Sequence, residues 1–168
     1  MKQIISLLIF GTLFFFINCS MAQRYGILKS HAYVRNGIAG AVQADDNGIP
    51  KNSGVNREYL LFVETPADAV LPEWQLAFVN GDPYTVKAID VSNNTLDLGT
   101  LKGGGKPVVI KKSAQNKIWQ LMIRPSSEQV SKAEKDGGSP ILLNGLWKKK
   151  SFTYKMPRLQ ELDPQFYK

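Results

Sequence analysis

Trp74-Gln75-Leu76-Ala77-Phe78-Val79, then Asn80-Gly81-Asp82-Pro83, then Tyr84-Thr85-Val86-Lys87-Ala88-Ile89-Asp90-Val91 is the stretch that decides the fold. Its two flanks alternate apolar and polar residues at the period of a strand, which predicts Trp74, Leu76 and Phe78 on one face. Asn-Gly between them tolerates the positive φ angles of a tight hairpin. The segment therefore reads as two antiparallel strands and a turn.

The same grammar extends in both directions. Upstream, Tyr59-Leu60-Leu61-Phe62-Val63 is apolar at every position, which suits a strand buried on both faces. Pro66 and Pro72 frame a loop after it. Tyr25 to Val34 is expected as the first strand. Residues 35–57, rich in Gly, Asn and Asp, read as one long loop holding a short strand at Ile38–Val42. Downstream, Thr95–Leu98, Val108–Ile110 and Lys117–Ile123 are short extended runs. Lys102-Gly103-Gly104-Gly105-Lys106 reads as a connector between two of them.

Ser126–Asp136 opens on serine with Glu128 and Gln129 in its first turn, the signature of a short helix. Ile141–Leu143 and Leu146–Met156 return to extended character. If Leu146–Met156 is one strand, Lys148 and Lys150 share a face and Lys149 opposes them. The tail from Pro157 packs as a helical turn or lies extended. Short strands with turns every 8–12 residues or so predict an all-β protein. The architecture expected is an antiparallel β-sandwich, immunoglobulin-like but without a disulfide, with one short peripheral helix. A small oligonucleotide-binding-type (OB-like) barrel is the alternative.

Residues 1–22 do not belong to that fold. Lys2, an apolar run from Ile4 to Ile17 and the small residues Ser20 and Ala22 form a secretory signal peptide, leaving residues 23–168 as a single β-sandwich domain. The expected location is periplasmic or secreted. Cys19, the sole cysteine of the chain, falls within the signal; Asn18 before it is a poor match to a lipid-anchor signal, so anchoring through Cys19 is the lesser reading. A domain of this length holds a core without disulfides.

Credible catalytic sets are scarce. His31 is the single histidine of the chain, which leaves no second imidazole for a zinc site. Asp45-Asp46-Asn47-Gly48 lacks the spacing of a helix–loop–helix calcium site. Glu58 and Glu64 stand roughly 20 Å apart along an extended strand, too far for paired carboxylates. Lys102 to Lys106 lacks the Lys-Ser/Thr step that opens a phosphate-loop helix. The reading is a non-enzymatic protein with no cofactor and no metal.

The basic residues are the best lead, in a chain of net charge +7. Lys111, Lys112 and Lys117 surround one hairpin. Lys148, Lys149, Lys150, Lys155 and Arg158 mark the last strand, with Trp119, Trp147 and Tyr154 among them. Lys102 and Lys106 add a basic loop. An excess of one charge sign attracts a partner of the other. The candidate partner-binding residues are Lys102, Lys106, Lys111, Lys112, Trp119, Trp147, Lys148, Lys150 and Tyr154. The partner expected is an envelope protein or membrane-anchored complex. The alternative is an acidic glycan or other polyanion held by exposed aromatics and lysines, with peripheral membrane association as a variant; no nucleic acid is expected. Lysines on an edge strand also serve the plainer purpose of blocking edge-to-edge association.

Overall fold

The computed structural model describes residues 25–39, 47, 55–111, 113–126 and 141–167. These form strands β1 (Lys29–Ala39), β2 (Val55–Pro66), β3 (Glu73–Val79), β4 (Asp82–Asp90), β5 (Leu96–Thr100), β6 (Pro107–Ile110), β7 (Asn116–Pro125), β8 (Ile141–Trp147), β9 (Lys150–Lys155), β10 (Gln160–Glu161) and β11 (Gln165–Tyr167). One nine-stranded sheet runs in the order β10-β1-β2-β7-β4-β3-β8-β9, with β11 also on β1, while β5 and β6 make a separate two-stranded sheet. Pairing is antiparallel except where β10 and β11 lie parallel to β1. The protein is thus all-β, with an antiparallel-dominated sheet of sandwich or barrel-like form.

β2 organises the interior. Leu61 and Val63 point into one core with Ala32, Ala77, Leu121 and Leu143. Leu60 and Phe62 point the other way, into a second core with Tyr33, Leu98, Ile110, Ile118 and Leu162. Burial of such side chains is worth roughly 1.5–3 kcal/mol each. The expectation of a strand covered on both faces is met: Leu61 and Val63 are fully buried and Phe62 nearly so.

The first core is closed by curvature. Its members come from β1 at one flank of the sheet and from Phe152 and Tyr154 on β9 at the other. The Ser30 and Tyr154 hydroxyls meet at 2.8 Å across it. Tyr25 stacks on Phe152 at 4.3 Å, and Trp74 packs against both Phe152 and Tyr154. One sheet folded over itself supplies both layers, instead of the two separately bonded sheets of an immunoglobulin domain. The second core is covered by the β5–β6 pair.

Several local expectations are corrected. β3 carries a bulge between Trp74 and Leu76. An inserted residue inverts the side chains beyond it, so Trp74 shares the first core with Ala77 and Val79, not a face with Leu76 and Phe78. Residues 35–37 and 55–57 are strand where a loop was expected, and residues 38–39, expected in a separate short strand, continue β1 along the β1–β2 ladder to Ile38 and Val55. Leu146–Met156 is not one strand. Lys148 and Lys149 form a two-residue turn between Trp147 and Lys150, so no strand face joins Lys148 to Lys150. The tail is extended and adds β10 and β11. The expected helix at 126–136 falls, apart from Ser126, outside the described residues, as do residues 1–22 and most of 40–54.

The bulge also explains Gly145. A Cβ there would sit 2.5 Å from the Glu73 carbonyl oxygen and 3.3 Å from the Phe152 ring. Neither backbone nor a core ring yields cheaply. Gly145→Ala is expected to lower unfolding free energy by about 2–3 kcal/mol in a denaturant titration.

Candidate functional site

The antiparallel order brings the start of β1, the end of β2, the start of β7, the end of β8 and the start of β9 to one pole of the molecule. Lys29, Lys111, Lys148, Lys149 and Lys150 are exposed at this pole, and Lys117 is half-buried there. The two lysine groups of the sequence, around β7 and around the β8–β9 turn, are therefore on the same end. Between them runs the loop 67–72. Ala67 donates its amide to the Gln115 carbonyl at 2.9 Å, which ties the loop to the turn before β7. A Cβ on Gly26 would lie 3.4 Å from the Trp147 ring and 3.8 Å from Ala69, which places the loop beside the β8–β9 turn.

Two aliphatic side chains stand out of this pole. Val70 is 76% exposed at the loop tip and Leu28 is 47% exposed just before β1. Two acidic groups at this pole, Glu64 and Asp90, are engaged. Glu64 accepts from His31 Nε2 at 2.8 Å and from the Asn116 amide at 3.4 Å. Asp90 accepts from the Ser92 hydroxyl and amide. Those hydrogen bonds hold the Asp90 carboxyl below the usual carboxylate range. Asp68 and Glu73 are exposed. His31, the lone histidine, is thereby an organiser of the β1–β2 end, stacked against Tyr33.

Trp119 and Trp147 are half-buried, whereas Trp74 is buried in the first core. Trp119 donates from Nε1 to Thr65 Oγ1 at 3.1 Å, with Lys117 Nζ 5.9 Å from its ring centre. Trp147 packs on the first core, and Lys148 Nζ lies 5.7 Å from its ring centre. Each ring thus anchors a lysine by a cation–π contact.

The remaining candidates disperse. Tyr154 is a core residue, only 8% exposed, so it is not available to a partner; its ring is needed to bridge β9 to β1. Lys102 and Lys106 lie at the β5–β6 turn, away from the pole, and Lys102 is held by Glu161 at 2.7 Å. That turn uses its glycines sterically. Gly103 and Gly104 have φ of 93° and 78°, and a Cβ on Gly105 would lie 2.6 Å from the Leu101 Cβ. Lys112 is outside the described residues. Sequence reasoning missed Leu28 and Val70; the paired prolines drew attention to 66–72, but nothing in the pattern announced an exposed valine at its tip.

The chain matches no family model, no curated protein and no solved structure.

The β8–β9 turn carries a cost. Lys148 and Lys149 have φ of 49° and 66°, the left-handed pair of a type I′ hairpin that Asn-Gly adopts with less strain. An L-residue there is disfavoured by roughly 1–2 kcal/mol. Lys149→Gly is expected to stabilise the protein by about 1 kcal/mol in thermal or denaturant unfolding.

Asp90 supplies a pH test. Its folded-state pKa is lowered, so the stabilisation it brings is present above the unfolded-state pKa and is lost as pH falls through the folded value. In a carboxyl NMR titration Ser92→Ala should raise the Asp90 midpoint, and the variant's stability deficit should shrink as the medium is acidified.

Proposed function

We propose that this is an exported, non-enzymatic binding protein of the cell envelope whose basic pole docks onto an acidic face of another envelope protein or membrane-anchored assembly. The observation that carries this reading is the β8–β9 tip. Two lysines occupy backbone positions that a glycine or asparagine fills with less strain, next to the exposed Val70 loop. Strain of this kind persists where something other than stability maintains it. An excess of lysine over exposed carboxylate around a small apolar prominence fits a protein interface: the lysines steer encounter and the aliphatic tip is desolvated on contact. The signal-like segment at residues 1–22 supports the location.

The second reading, an acidic glycan or other polyanion, uses the same lysines and differs in needing no apolar contact. A photo-crosslinking residue at position 70, in isolated envelopes, separates the two. The protein-docking reading expects one discrete crosslinked protein, lost when Lys148, Lys149 and Lys150 are all replaced by Glu and weakened above roughly 0.5 M salt. No crosslink at position 70, or one indifferent to charge reversal, contradicts it. Salt-sensitive retention on a heparin matrix without any protein crosslink would favour the polyanion.

A further inference from the structure

At the opposite end of the sheet, where β2 begins and β7 ends, β2, β7 and β4 border a concavity of about 520 Å³. That volume lies within the range of small-molecule sites. Its lining includes Asn56, Arg57, Glu58, Tyr59, Tyr84 and Gln120, with Met122 and Ile123 among the apolar members. We propose that this concavity is a binding site for one ring of a neutral saccharide.

The first argument is shape. Tyr59 and Tyr84 are half-buried and meet edge to face, their ring centres 6.3 Å apart and their planes at 74°. Two flat walls near a right angle suit a puckered ring that offers its C–H face to one aromatic and its rim to the other. The lining mixes apolar Met122 and Ile123 with the amide-bearing Asn56 and Gln120.

The second argument is hydrogen-bonding capacity. Asn56 and Gln120 each donate and accept through their side-chain amides, and a phenol does both through one oxygen. Vicinal hydroxyl groups, themselves donors and acceptors, satisfy such a set better than an anion or a cation does. Burial, with Tyr59 and Asp82 nearby, holds the Tyr84 phenol above its ordinary pKa, so it remains a donor at neutral pH.

The third argument is charge. Among the described residues, Arg57 and Glu58 are the charged groups in the lining, one of each sign. This balance contrasts with the lysine-rich pole and disfavours a polyanion. The site shares no residue with the basic pole, so it stands or falls separately from the docking proposal.

The test is saturation-transfer NMR and calorimetry on the protein as purified from its native host with three probes: an N-acetylglucosamine tetramer, maltotetraose and cellotetraose. At least one should bind saturably at millimolar concentration, with affinity unchanged between low and high salt. Tyr84→Ala and Gln120→Ala should each weaken it about tenfold or more, equivalent to about 1.4 kcal/mol. Tyr84→Phe, which keeps the wall and loses the hydroxyl, should weaken it less than Tyr84→Ala. Replacing Lys148 by Glu at the other pole should leave it unchanged. Circular dichroism melts establish that the variants are folded, and Gln120→Ala removes no core side chain. Absence of binding for all three probes at about 10 mM would overturn the proposal. So would binding that survives both Tyr84→Ala and Gln120→Ala, or binding confined to a sulfated oligosaccharide.

Discussion

The structure depends on one strand having two insides. β2 lies between β1 and β7, and its successive side chains Leu60, Leu61, Phe62 and Val63 feed two cores in turn. No single layer can cover such a strand. The first core obliges the long sheet to curl until β9 faces β1; the second obliges a further layer, β5–β6, to lie on the outside. Both functional surfaces are consequences of that arrangement. The basic pole and the tyrosine-lined concavity are opposite ends of the same group of strands.

The C-terminal segment shows how the outer layer is secured. β10 and β11 run parallel along the otherwise open edge of β1. Leu162 between them is 1% exposed, in the second core. Around it, Glu161 takes Lys102, Asp163 takes the Thr100 hydroxyl, and Arg35 reaches both Gln165 and the Leu98 carbonyl. Exposed ion pairs such as Lys102–Glu161 contribute about 0–1 kcal/mol, whereas a buried leucine is worth more. Leu162 is therefore the anchor, and the polar contacts fix its register. At the far edge β9 is bounded by Lys150 and Lys155, charges that discourage strand addition.

What could be read from sequence was what local chemistry dictates. Asn80 and Gly81, with φ of 52° and 92°, form the hairpin turn that their identities demand, and the unbroken apolar run of β2 announced burial on both faces. What escaped was decided by tertiary contact. Lys148 and Lys149 look like strand residues because nothing in a lysine pair signals a left-handed turn; the pairing of Trp147 with Lys150 imposes it. The bulge at Trp74 is likewise invisible, since it belongs to the pairing with β8, where Gly145 passes close to Glu73. The sequence Arg35-Asn36-Gly37 hid strand because its partners, including the parallel tail, are distant in the chain. The lysines were legible as a feature, but only topology shows which of them gather at one pole. The tyrosine concavity had no sequence signal, because Tyr59 and Tyr84 belong to different strands and meet across β7.

Native-state hydrogen exchange tests the double burial of β2 most directly. Amides of Leu60 to Val63 and of Ile118 to Leu121 should exchange only through global unfolding, with the full denaturant dependence of the whole molecule. The β5–β6 pair and the C-terminal strands should open at lower free energy. Fast, denaturant-independent exchange at Leu60 to Val63, while β5–β6 stays protected, would contradict the account.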